Sequence, residues 1–272
     1  MRVKSTEVLE MVGMGRRPQR RGRLAPHACS YTAFMPGLYR DQGVVLRTIK
    51  LGEADRIVTF LTQGHGKVRA VAKGIRKSGS RFGARLEPTS HVAIQCYRGR
   101  ELDVVTQVET IDAFRQLREH YGSLTHAIAM LEAVDQVAQE REANPALYRM
   151  LVGALRTLAV APSPMVAPAF FWKLLSLEGF HPILDTCTRC GDEAEPFSAF
   201  DFGEGGVLCG ECARFAGRRV DAEAIALLRR ILGGDLRGAL TAPPERPGIE
   251  VERLGVAALE YHLERRLRIT GG

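Results

Sequence analysis

Arg56-Ile57-Val58-Thr59-Phe60-Leu61-Thr62, then Gly64-His65-Gly66, then Lys67-Val68-Arg69-Ala70-Val71-Ala72-Lys73: this stretch reads as two strands joined by a tight turn, and it decides the fold. Its period is near two, the signature of a half-buried strand, and the Gly-His-Gly punctuation closes a hairpin. Lys67, Arg69 and Lys73 share one face. Upstream, Val44-Val45-Leu46-Arg47-Thr48-Ile49 predicts another strand, followed by Leu51-Gly52-Glu53-Ala54-Asp55. Downstream, past a Gly/Ser/Arg loop over 74–83, His91 to Tyr97 predicts a fourth strand. Arg98-Gly99-Arg100 turns, and Leu102 to Val108 predicts a fifth. Five short antiparallel strands in about 70 residues are what a small Greek-key barrel of the OB type needs. An SH3-like barrel has the same strand count, and spacing alone leaves it open.

Near Phe114 the period changes. Leu117, Tyr121, Leu124, Ile128, Leu131 and Val134 recur at three and four residues, predicting one face of a long helix. Asn144-Pro145 is an N-cap followed by proline at the first helical position, opening a helix to about Val160. Pro162-Ser163-Pro164 breaks it, and a third helix runs from Ala167 to Glu178, stopped by Gly179. Its Phe170-Phe171-Trp172 cluster reads as core. Asp221 caps a helix to Leu232, and a final helix runs from Gly248 to about Ile269. The fold class is therefore α+β. A five-stranded OB-fold barrel at 38–115 precedes a helical domain at 116–272, with a four-cysteine, zinc-ribbon-like insertion at 185–216. Residues 1–37 lack periodicity and hold Arg16-Arg17-Pro18-Gln19-Arg20-Arg21-Gly22-Arg23, as expected of a disordered basic extension. Met35 reads as the natural start, which makes the preceding residues an upstream over-call. The competing reading is a genuine basic arm.

The net charge is +7, and its distribution says more than its total. Residues 38–115 hold fourteen Lys and Arg against eight Asp and Glu, whereas 116–272 are net acidic. A basic unit beside a slightly acidic one points to a polyanion for the first, with a merely solvated basic surface as the plain alternative. No run of apolar residues is long enough to span a bilayer, and no apolar signal core follows the basic start. The expected location is the cytoplasm.

Four of the six cysteines form two tight pairs: Cys187-Thr188-Arg189-Cys190-Gly191 and Cys209-Gly210-Glu211-Cys212. The spacing is that of a four-thiolate zinc site. Two intervening residues let both sulfurs of a pair reach one ion at about 2.3 Å. Gly191 permits the turn, and Gly203-Glu204-Gly205-Gly206 suits a hairpin that returns the second pair to the first. With thiolate at every position no site is left for water, so one structural Zn²⁺ is expected. Arg189 and Arg214 could offset the site's negative charge. An iron–sulfur cluster and a dithiol redox pair are the competing chemistries.

The barrel region carries the cations that would follow a phosphate backbone: Arg47, Arg56, Lys67, Lys73, Arg76, Lys77, Arg81, Arg85 and Arg98. Phe82 and Tyr97 are the aromatics near enough to stack on bases. Few aromatics among many cations means phosphate-dominated binding with little sequence reading. No phosphate-binding Gly-rich loop, zinc-protease helix or serine elbow occurs. The seven histidines are scattered, and acidic residues do not cluster as a two-metal nuclease requires. No catalytic residue is expected. An enzyme such as a zinc-bearing nuclease, and a zinc-ribbon factor in transcription or translation, are the competing function classes.

Several runs resemble the RecO family of recombination mediators. They are Gln42 to Arg47, Leu51 to Val58, His65-Gly66-Lys67, Val71 to Arg76, Ser80 to Pro88 and Gln107-Val108. Leu177-Glu178-Gly179-Phe180-His181-Pro182, the paired cysteines and Tyr261 to Leu267 continue the likeness, which spans about residues 38–268. The resemblance implies a protein that binds single- and double-stranded DNA and anneals complementary strands. It also implies help in loading RecA onto DNA coated by single-strand-binding protein. Implied partners are RecR and the acidic C-terminal tail of that coating protein. Such a tail needs a few local cations beside an apolar wall. The candidates are Arg118, Arg149, Arg156 and Lys173, the last adjoining Phe170-Phe171-Trp172. The basic extension is not usual in the family.

Overall fold

The computed structural model describes residues 37–76, 80, 82–241, 246–264 and 267. The extension read at 1–37 therefore lies, save Gly37, outside the described residues. Five strands follow in chain order: β1 (Leu38–Leu51), β2 (Asp55–Thr62), β3 (Gly66–Ala72), β4 (His91–Tyr97) and β5 (Asp103–Asp112). They close into a barrel in the order β1-β2-β3-β5-β4, as the OB reading requires. β1 is long because it serves two neighbours. Its first half pairs with β4 and its second with β2, and a bulge between Val45 and Arg47 turns it from one to the other. The interior is filled by Val45, Val58, Phe60, Ala70, Ala72, Val92, Ile94, Cys96 and Val105. Phe82 is 1% exposed and packs into this core, so it is no stacking platform. Cys96 is a core residue, its thiol pushed up to about 12, chiefly by burial.

One side of the barrel is sealed from outside it. β3 and β5 run parallel and share only two residue pairs, Ala70↔Asp103 and Val71↔Val104. The rest of the β3 edge is covered by residues 139–142. Lys67 N–H donates to Gln139 C=O at 3.1 Å, and Arg141 N–H to Lys67 C=O at 3.0 Å. Gly66 makes this approach possible. Its φ is +65°, and a Cβ there would stand 1.9 Å from the Glu142 carbonyl oxygen. Gly66→Ala is therefore expected to cost about 2 kcal/mol or more, read as a lowered urea midpoint. Gly52→Ala isolates the overlap from the dihedral strain, since Gly52 has a similar φ of +58° but open space around it.

The helical region begins with α1 (Arg115–Glu119) and α2 (Tyr121–Val137), where the sequence reading had one long helix. His120 between them is extended, with φ −124° and ψ 112°. The buried face of α2 keeps Leu131 and Val134 of the predicted one but differs at its other positions. It runs through Ala127, Met130, Leu131 and Val134, while Tyr121 (87% exposed) and Ile128 (40%) face out. Small alanines at 127, 129 and 133 let neighbouring helices approach closely, so packing favours that face over the bulkier one. α3 (Pro145–Val160) starts where predicted, with the Asn144 side-chain oxygen accepting from Leu147 N–H at 3.0 Å. α4 (Val166–Leu177) buries Phe170, Phe171 and Trp172 completely, and the Trp172 indole donates to Val251 C=O at 3.0 Å.

The cysteine-bearing segment forms a three-stranded sheet in the order β7-β6-β8, from β6 (Phe197–Asp201), β7 (Gly206–Cys209) and β8 (Arg218–Arg219), the last strand lying past the expected end of the insertion at 216. Phe200 docks it edge-on against Trp172, ring centroids 5.6 Å apart. Then come α5 (Ala222–Leu232), α6 (Leu236–Thr241) and α7 (Arg246–Leu263). α6 was not predicted; its signal is Asp235, whose carboxylate accepts from Gly238 N–H at 3.1 Å. α7 ends before the predicted Ile269, at Glu264, whose φ is +51°. Val44, Leu46 and Leu61 turn outward from the barrel into the core of the helical region. No helix among the described residues is long and apolar enough to cross a membrane.

Candidate metal centre and nucleic-acid interface

The β6–β7 hairpin brings the cysteine pairs together. Asp201 fixes its turn by accepting from Gly203 N–H at 2.9 Å and Glu204 N–H at 3.2 Å. Gly191, with φ +76°, lets the first pair curl so that its N–H donates to Cys187 C=O at 2.8 Å. The sulfurs of Cys187, Cys190, Cys209 and Cys212 all lie within 4.8 Å of one another. Cys190 and Cys209 Sγ are 3.7 Å apart. A disulfide would need about 2.05 Å. A tetrahedron of thiolates at about 2.3 Å from one ion has edges of about 3.8 Å. The arrangement can therefore hold a metal ion.

The titration of the sulfurs fits this. Burial raises the Cys187 thiol, but backbone N–H groups of Cys209, Cys190 and Arg189 outweigh it and bring Cys187 down to about 6. Burial and the neighbouring sulfurs push Cys212 up to about 12. A first thiolate thus forms readily and opposes the next, a conflict that a bound divalent cation removes. Of the two arginines read as counter-charges, Arg214 lies 3.2 Å from Glu211 and Arg189 is exposed beside the cluster.

The barrel cations separate into two sets. Arg47 and Lys67 are turned toward α2. Arg47 Nε is 2.6 Å from the Asp135 carboxylate, and Lys67 Nζ donates to the Asp135 carbonyl at 2.7 Å. Arg56 is half-buried against Glu87 at 2.9 Å. These three hold the fold together as well as carrying charge. Lys73, Arg76, Arg85 and Arg98 are exposed. Lys73 and Arg76 gather where β1 turns into β2: Gly74 N–H donates to Asp55 at 2.7 Å and Arg76 N–H to Ala54 C=O at 3.0 Å. Lys50, also among the basic residues of the barrel segment, stands opposite Arg56 in the ladder, at the same end. Arg98 stands on the β4–β5 turn, at the other end of the barrel. Lys77 and Arg81 lie outside the described residues.

Arg149 and Arg156 are exposed on α3, and Lys173 is half-buried on α4, where burial lowers its pKa. The apolar wall expected beside Lys173 is absent, because Phe170, Phe171 and Trp172 are at most 1% exposed. Apolar surface lies instead in a cavity of about 270 Å³ lined by Leu175, Phe180, Ile183, Phe200 and His262. Phe180 stacks on His262 there at 3.9 Å.

Residues 35–114 match the family model described as the N-terminal part of recombination protein O. Residues 118–269 match the model described as its C-terminal part.

Proposed function

Because the chain belongs to the recombination protein O family, whose role is that of a DNA-repair recombination mediator, we propose that it works by holding and annealing DNA strands. In this reading it binds single- and double-stranded DNA through the barrel, 38–115. With RecR, it helps load RecA onto DNA coated by single-strand-binding protein. The helical domain, 116–272, with its insertion at 185–216, is the proposed partner-facing unit, and Arg149, Arg156 and Lys173 are the proposed contacts for that protein's acidic tail. The metal is Zn²⁺, one per chain, with a structural role. No covalent step is involved, so the protein acts as a binding factor in the cytoplasm, at the nucleoid.

The observation that carries this reading is the exposed cations on a closed barrel. Lys50, Lys73 and Arg98 are exposed and make no ion pair among the described residues. Affinity for labelled oligothymidylate, followed by anisotropy, is expected to fall linearly on a log–log scale as salt rises. Lys73→Glu with Arg76→Glu should weaken binding to every sequence alike and reduce the salt slope by about 2. Reversing Lys77 and Arg81 as well should deepen the loss. Arg47→Glu should instead lower stability, since it sets two carboxylates together at Asp135. A change in sequence preference with overall affinity intact would overturn the phosphate-tracking reading.

A further inference from the structure

Phe215 is 82% exposed; among the described aromatic residues Tyr121 alone is more so, at 87%. Phe215 is held in place by the turn that carries it. Its N–H donates to Cys212 C=O at 3.1 Å, within the short turn Cys212–Arg214. Two residues on, Gly217 has φ +82°, and a Cβ there would lie 3.0 Å from Leu208 Cδ1 and 3.1 Å from Phe200 C=O. The chain after Phe215 is thus pressed onto β6, and Val220 N–H donates to Ser198 C=O at 3.1 Å. With the backbone pinned on both sides, the ring is presented to solvent on a fixed support.

The segment that carries this ring is cationic between the acids Glu211 and Asp221. Between Cys212 and Val220 there are three arginines and no acid. Arg214 is 69% exposed and pairs with Glu211. Arg218 and Arg219 are exposed on the edge strand β8 and make no ion pair among the described residues. An exposed phenylalanine alone needs no explanation. One on a braced turn, followed three and four residues on by two exposed guanidinium groups that make no ion pair among the described residues, has the two components that single-stranded nucleic acid requires. A flat apolar face receives a base, and planar cations hold the phosphates on either side.

We propose that this turn is a second contact for single-stranded DNA, separate from the barrel: a nucleobase stacks on Phe215 while Arg218 and Arg219 hold the adjoining phosphates. The proposal rests on the reading of the chain as a DNA-handling protein. The contact is strand-selective, because bases in a duplex are already stacked and offer no free face to a ring at the tip of a turn. It is indifferent to sequence, because every base has such a face.

The test uses the full chain with its metal in place. The only tryptophan, Trp172, is 1% exposed, so Phe215→Trp adds a reporter at the site over a buried background. Its emission should be quenched by oligothymidylate and not by a duplex of equal length. Phe215→Ala should weaken oligothymidylate binding about tenfold and leave duplex binding nearly unchanged. Arg218→Glu with Arg219→Glu should weaken it similarly and reduce the salt slope by about 2. Metal content and melting temperature should stay at wild-type values in each variant, since all three side chains are exposed. Wild-type affinity in these variants, without quenching, would overturn the proposal and leave the barrel reading standing. Quenching produced by an acidic partner peptide and not by DNA would overturn it too, assigning the turn to a protein. Failure of the unaltered protein to bind any single strand would overturn both readings together.

Discussion

Cys187→Ser should release the metal and unfold the insertion, the largest effect expected of any single substitution here. The three strands bury few side chains of their own, chiefly Phe197, Ala199, Phe200, Val207 and Leu208. A sheet that small is not independently stable, so a bound ion would supply much of its folding free energy. In small zinc domains the apparent binding free energy is about 10–16 kcal/mol at neutral pH. Removing one of four ligands forfeits several kcal/mol of that. Phe200 packs on Trp172, so the loss spreads to the α4–α7 core. Metal analysis of the purified chain should give one zinc, falling to none in the variant, with a lowered melting temperature. A chelator should move the wild-type melt in the same direction. Iron with visible absorbance would replace zinc as the metal. Wild-type protein that melts unchanged without metal would refute the structural role.

The second large effect is expected at Arg141. Its guanidinium sits 2.9 Å from Asp103, whose side chain is 0% exposed. Asp103 also accepts from the Tyr39 hydroxyl and from Gly99 N–H at 3.0 Å. Burial raises the carboxyl, but these donors outweigh it and hold Asp103 below its ordinary value of 3.8. Arg141→Ala leaves a buried carboxylate without its cation, an expected loss of about 3–5 kcal/mol. Urea denaturation at neutral pH measures it. The pH dependence has a definite sign. A carboxylate held below its unfolded value stabilises the native state above that value, and the contribution disappears as pH falls through the lower folded value. The wild type should therefore lose stability on acidification in this range, and Arg141→Ala should lose less. Equal acid sensitivity in the two proteins would place the pH dependence elsewhere.

The barrel and the cysteine cluster were legible in the sequence because each rests on local pattern. Alternation marks strands such as His91–Tyr97, and C-x2-C spacing marks a site whose ligands are set by two short turns. Asn144-Pro145 marked a helix start for the same reason. What depended on distant partners was not legible. Arg47 and Lys67 looked like free cations because Asp135, which faces both, lies far along the chain. Phe82 looked like a base platform because nothing local says that the barrel closes over it. The break at His120 and the rotated face of α2 follow from how helices pack on the barrel, which periodicity does not encode. Lys173 was placed beside apolar rings correctly in sequence, but those rings turn inward.

The covering of β3 by residues 139–142 bears on the order in which the chain is made. The five strands have been synthesised by Asp112, yet part of the β3 edge is still open until Glu142 arrives. At about 5–20 residues per second, the remaining stretch takes about 2–6 s to follow. During that interval the nascent barrel exposes Lys67 amide and carbonyl groups that are later paired, and Asp103 waits for Arg141. An open strand edge is a template for pairing with other chains. Here lysine and arginine alternate along it, at 67 and 69, and like charge on neighbouring nascent chains keeps such edges apart.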